Sequence, residues 1–103
     1  MAKYPSLLIA STYHLKNGCE DNFIKLWNHR MKKFAYLSGV ISIGIYHNAD
    51  SDEYRTLSYW RSREDADRFL NSKEFLRITE KLNAFCLVPS KKEHFEYFLE
   101  RVA

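Results

Sequence analysis

Residues that break a chain or staple it together are scarce here: three glycines, two prolines and two cysteines among 103 residues. So little glycine and proline excludes collagenous and low-complexity chains, and no Ser/Gly/Pro stretch marks a linker. Cys19 and Cys86 are too few for a disulfide framework and read as reduced thiols. Spacings of the CxxC, HxxxH or HExxH kind are missing, so no metal is expected. No glycine-rich loop offers a phosphate or dinucleotide cradle. The apolar run near the start, Leu7 to Ala10, is too short for a signal segment or a membrane span. A soluble cytoplasmic protein with no membrane partner is the expectation. Charge of one sign is also lacking, since 16 Lys and Arg face 13 Asp and Glu, a net of +3. Its concentrations, Arg30-Lys32-Lys33 and Lys91-Lys92, read as solvated helix ends or loops, and no nucleic-acid partner is expected.

Core-forming side chains are plentiful. With 46% hydrophobic and 16% aromatic residues, the chain can fill one core, and its length fits a single domain over residues 1–103. Leu7 to Leu15 is dense in strand formers and stops at Asn17-Gly18, a turn dipeptide. From Cys19 the period becomes helical: Phe23, Leu26, Trp27, Arg30, Met31 and Phe34 make one stripe. Glu20 and Asp21 in its first turn and Arg30, Lys32 and Lys33 near its end complement the helix dipole. Ser38-Gly39 ends it. Val40 to His47 then reads as a strand, with Ile41, Ile43 and Ile45 on one face and Val40, Ser42, Gly44 and Tyr46 on the other. Asn48 to Glu53 is a polar turn leading to a third strand, Tyr54 to Arg61. Ser62 and Asp65 resemble a capping box. Ala66, Phe69 and Leu70 share a helix face, Asn71-Ser72 interrupts the phase, and Phe75, Ile78, Thr79 and Leu82 resume it. Two short helices or one kinked helix follow. In the tail, Phe95, Phe98, Leu99 and Val102 fit a helix, while Phe95, Tyr97 and Leu99 fit a strand face; aromatic enrichment favours the strand.

The order strand, helix, strand, strand, helix, strand is the ferredoxin-like α+β arrangement, βαββαβ, with two helices on one face of an antiparallel four-stranded sheet. Apolar residues nevertheless occupy both faces of the first two strands. Two helices can cover only one face, and burying a large apolar side chain is worth roughly 1.5–3 kcal/mol. A second copy, sheet against sheet across a two-fold axis, is the simplest cover, so a homodimer is expected.

Several short motifs, in order, carry a resemblance: Lys16-Asn17-Gly18 before the long helix, Ser38-Gly39-Val40 opening a strand, Trp60-Arg61-Ser62 closing another, and Phe69-Leu70-Asn71-Ser72 behind it. Together they resemble the antibiotic-biosynthesis-monooxygenase-like family of dimeric α/β-barrel proteins, over about Leu7 to Tyr97. The resemblance implies a dimeric barrel and a function drawn from cofactor-free oxygenation of polycyclic phenols, haem degradation or small-molecule binding. The haem-degrading branch has an Asn, a Trp and a His where this chain has Ser11, Phe69 and Thr79. With no imidazole at Thr79 to hold iron, haem degradation is disfavoured and no cofactor is expected. A His common elsewhere in the family is also replaced by Phe69.

Each candidate residue has an ordinary reading beside the functional one. Thr79 lies on an apolar stripe and either aims its hydroxyl into a pocket or bonds its own helix. Ser11 alternates with Ile9 and Tyr13, so Ser11 and Tyr13 share a strand face that a pocket would use. Trp27, Trp60 and Phe69 either wall an aromatic ligand or fill the core. His14 and His47, on predicted strands, are candidate catalytic bases for a phenol proton, though both stand next to strand ends, where exposure is common. His29 and His94 read as solvent-facing. Cys19 opens a helix, but Glu20 and Asp21 beside it oppose a thiolate.

The reading that follows is a cofactor-independent monooxygenase-like protein binding a small aromatic or phenolic substrate between helices and sheet. The alternative is a non-catalytic dimeric small-molecule-binding or sensing domain of the same fold. A ferredoxin-like RNA binder ranks last, since Tyr54 to Arg61 lacks the required glycine-and-aromatic signature.

Overall fold

The computed structural model describes residues 7–96. Four strands, β1 (Leu7–His14), β2 (Val40–His47), β3 (Glu53–Trp60) and β4 (Lys91–Glu96), form one antiparallel sheet in the order β2-β3-β1-β4. The helices are α1 (Glu20–Met31), α2 (Arg63–Leu70) and α3 (Lys73–Asn83). The expected α+β architecture is the observed one, and the tail is a strand as far as Glu96. The readings of Tyr97, Phe98, Leu99 and Val102 lie outside the described residues.

Register decides which side chains share a face. Leu7, Ile9, Ser11 and Tyr13 of β1 stand opposite Trp60, Ser58, Thr56 and Tyr54 of β3, and directly paired residues project to the same side. Tyr13 packs against Phe23 of α1, ring centroids 5.0 Å apart, so this is the helix side. The core lies there, built from Leu7, Ile9, Phe23, Trp27, Phe34, Trp60, Phe69, Phe75, Ile78 and Leu82. Leu8, Ala10 and Thr12 with Tyr59, Leu57 and Arg55 make the other side.

Local chemistry fixes the junctions. Ser62 Oγ accepts the Asp65 N–H at 3.2 Å and donates to Asp65 Oδ2 at 3.0 Å, which starts α2. Ser72 does the same for α3, accepting the Phe75 N–H at 3.1 Å while donating to the Phe69 carbonyl at 2.8 Å. The break at Asn71-Ser72 is thus a helix end and a new cap, giving two helices. Gly39 has φ 89°, and a Cβ there would stand 2.3 Å from the Asp65 carboxylate. Only glycine fits, so the start of β2 can press against the capped end of α2.

Three expectations change. The α1 stripe does not run as one α-helix to Phe34: the chain tightens into a 3-10 helix at Lys32–Tyr36, which still buries Phe34. In β2 a bulge falls between Val40 and Ser42. Val40 therefore pairs with Trp60 on the helix side with Ile43 and Ile45, while Ile41 drops out of register and stays 53% exposed. Finally, Lys92 is not a solvated loop residue; it is half-buried on β4, its Nζ 5.1 Å from the centre of the Phe75 ring.

Candidate functional site

The helix side of the sheet carries a row of hydroxyls where apolar residues would be expected. Register places Thr56 of β3, Ser11 of β1 and Lys92 of β4 side by side across three strands. Ser11 is 3% exposed. Tyr13, the next helix-side residue along β1, is equally buried. Burial pushes its phenol up to about 12, against the pull of the Thr56, Ser11 and Ser90 hydroxyls beside it. Tyr13 is therefore neutral at physiological pH, a donor rather than a base. The Cys86 thiol, also buried, donates to the Leu82 carbonyl at 3.5 Å, and burial pushes its pKa up. That environment opposes a nucleophilic thiolate.

Between α1, the 3-10 helix and β2 lies an open cleft of about 720 Å³. Trp27, Met31, Tyr36 and Ile43 provide its apolar lining, and His29, Lys32 and Lys33 its basic lining. No carboxylate lines it. Ile43 at its floor pairs with Ser58 of β3, so the cleft adjoins the strand that carries Thr56. Lys33 is tied to Glu74 on α3 by an ion pair, and Tyr36 is almost fully exposed at the rim.

The residues singled out from sequence do not converge on one place. Ser11 and Tyr13 meet in the hydroxyl row. Trp27 lines the cleft. Trp60 and Phe69 stand inside an aromatic cluster: their centroids are 4.9 Å apart, Phe69 also packs on Phe34 and Phe75, and Trp60 Nε1 donates to Ser58 Oγ at 2.9 Å. Thr79 is on α3, its Oγ1 buried without a hydrogen-bond partner. The two histidines are separated. His47 ends β2 on the helix side, exposed, its ring 4.6 Å from that of Tyr54. His14 is exposed on the opposite side, across from Glu53.

Sequence reasoning missed Thr56, Ser90 and Lys92 in the row and His29 at the cleft. Thr56 shares its face with Tyr54, Ser58 and Trp60, a period-two signal available once the register is known. His29 lies off the apolar stripe of α1 and becomes a cleft residue only because the following turn and β2 fold round it. Among the described residues no group of three or more His, Cys, Asp or Glu is placed to hold a metal. Thr79 offers only a hydroxyl and Phe69 is locked in the core, a set that does not fit a haem iron.

These elements define a two-layer ferredoxin-like α+β fold, with the candidate cleft between α1, the 3-10 helix and β2. The family model described as antibiotic biosynthesis monooxygenase matches residues 7–81, and the chain belongs to that family. A conserved protein from Methanosarcina mazei Go1 is similar at TM-score 0.84 and 15% identity, over 90% of this chain and 93% of that one. A protein from Mycobacterium tuberculosis gives TM-score 0.82 at 15% identity, over 94% of this chain and 99% of that one. SnoaB, a cofactor-independent oxygenase from Streptomyces nogalater, gives TM-score 0.75 at 18% identity, over 95% and 96%. At such identities the likeness is one of fold. No curated protein matches the sequence. Among the described residues no helix is long and apolar enough to cross a membrane.

Proposed function

We propose that this protein is a cofactor-independent monooxygenase-like enzyme, working as a homodimer, that oxidises a small aromatic phenol held between helices and sheet. The observation that carries this reading is the cleft on the helix side, lined by Trp27, Met31, Tyr36 and Ile43 with His29 among them. Membership of a monooxygenase family, and a fold shared with an oxygenase that needs no cofactor, support it.

In the reaction, an anthrone-type phenol supplies the electrons itself. Loss of a proton gives an electron-rich carbanion or phenolate that reacts with O₂. One oxygen atom enters the ring carbonyl, and the other leaves as water with the two hydrogens of the oxidised carbon. Trp27 stacks on the ring, and Met31 and Ile43 keep water from it; Ser11, Tyr13 and Thr79, which lie outside the lining of the cleft, are assigned to orienting its oxygens. Trp60 and Phe69 shape the wall from behind. In this reading His29, which lines the cleft, takes the proton; His47, at the end of β2 on the helix side, and His14, on the opposite side, stand outside the cleft lining and are weaker candidates.

The uncovered side of the sheet supports the homodimer. Leu8, Leu57, Tyr59, Tyr46 and Phe95 share it, the last two 55% and 45% exposed. A second copy laid across them buries both patches at once.

Incubating the purified protein with anthrone and following oxygen consumption tests the reading. One O₂ consumed per anthrone, with anthraquinone as product and slower turnover in His29→Ala and His47→Ala, is the expected outcome. Absence of enzyme-dependent uptake across a panel of anthrones and quinols would remove the catalytic reading. A non-catalytic binding domain of the same fold would then stand.

A further inference from the structure

The cleft between α1, the 3-10 helix and β2 is one-signed in a way that the chain is not. Acidic and basic residues nearly balance overall, 13 against 16. Among the described residues, however, the cleft is lined by His29, Lys32 and Lys33 and by no carboxylate. The two lysines differ in what holds them. Residues i and i+3 of a 3-10 helix eclipse one another, so Lys33 shares its column with Tyr36, and Lys32 shares its own with Ala35. Lys33 is engaged: its Nζ pairs with Glu74 of α3 and stands 5.8 Å from the centre of the Phe34 ring. Lys32 is exposed and has no ion pair among the described residues, where the observed pairs engage Lys33, Arg55, Arg63 and Arg68. Its column partner, Ala35, is the smallest side chain of the lining. The cleft volume of about 720 Å³ is that of a small-molecule site. Basic groups over apolar walls concentrate the field and favour an anion. Trp27, Met31 and Ile43 in those walls suit a flat ring.

We infer that the cleft selects an aromatic carboxylate, with its ring against Trp27 and its anionic oxygens at Lys32. The inference deepens the reading of the cleft as a small-aromatic site, and rests on it. It adds the charge of the ligand and names Lys32 as the residue that reads it. Lys33 cannot play this part, because Glu74 already neutralises it. His29 stays available for the proton, since Lys32 supplies the fixed charge.

Calorimetric titration of the intact protein with 2-naphthoate and with its neutral isostere 2-naphthamide tests the inference. At low salt the acid is expected to bind about tenfold more tightly than the amide, the scale of a charge-assisted hydrogen bond. That preference should narrow as salt is raised. Lys32→Met should abolish it and leave amide affinity unchanged. Lys91→Met makes the same change in net charge at an exposed position on β4, the opposite edge of the sheet from β2, and should preserve it. Equal affinity of the unmodified protein for acid and amide overturns the inference and leaves the aromatic cleft standing. So does a preference that survives in Lys32→Met, or one lost equally in both variants. Binding of neither compound overturns the inference and the small-aromatic reading together. The acid–amide comparison needs no variant, so a misfolded Lys32→Met protein does not protect the inference.

Discussion

On the helix side of β1, Leu7, Ile9, Ser11 and Tyr13 are all 3% exposed or less. On the other side of the same sheet, Tyr46 and Phe95 keep about half of their surface in water. The strands are shared and their residues alternate, so composition cannot explain the contrast. What differs is the cover: α1, α2 and α3 all pack on one side. The covered side holds polar groups such as Ser11 and Tyr13 out of water. The uncovered side carries large apolar residues that a second layer would bury. On the proposed function the two faces would divide the tasks, chemistry on the covered one and assembly on the other.

Substitutions can break this contrast in order of size. The largest effect belongs to the helix side. Phe23→Ala removes a fully buried ring that packs on both Tyr13 and Tyr54, and should cost about 3–5 kcal/mol in denaturant unfolding. Next comes Leu57→Asp on the uncovered side. It should leave the fold intact by circular dichroism but weaken self-association at least about a hundredfold, read by sedimentation, because it buries an unpaired charge between sheets.

The third prediction uses the Tyr13 phenol. Burial holds its folded-state pKa at about 12, above the ordinary phenol value of 10.0. The unfolded chain therefore releases that proton first as pH rises. The stabilisation is complete below about pH 10 and is lost between roughly pH 10 and 12. A drop of about 2–3 kcal/mol across that window is expected, smaller in Tyr13→Phe. Smallest are the caps. Ser62→Ala and Ser72→Ala should each cost about 1 kcal/mol, measurable as separate shifts in unfolding midpoint.

Much of this was legible in the sequence because periods are local. The helical stripe from Phe23 through Trp27 to Met31, the serines at positions 62 and 72, and the β-rich runs each announce an element from within a few residues. The doubled apolar faces likewise pointed to a side that the helices could not reach. The unforeseen features need knowledge of what lies across from a residue. Ile41 alternates correctly in sequence and is displaced only because β2 bulges against β3. Lys92 looks like half of a solvated pair until β4 sets it opposite Ser11, with Phe75 overhead. His29 reads as solvent-facing until the 3-10 helix and β2 build a cleft beside it. The site suffered more than the fold, since a site is made of such cross-element neighbours.

Sedimentation of the unmodified protein at micromolar concentration weighs most directly on the division of the sheet into a chemical face and an assembling one. A particle of twice the 12.3 kDa chain mass, unchanged on tenfold dilution, is the result predicted. A monodisperse species of single-chain mass would contradict it, leaving the exposed Tyr46 and Phe95 without the partner on which the account depends.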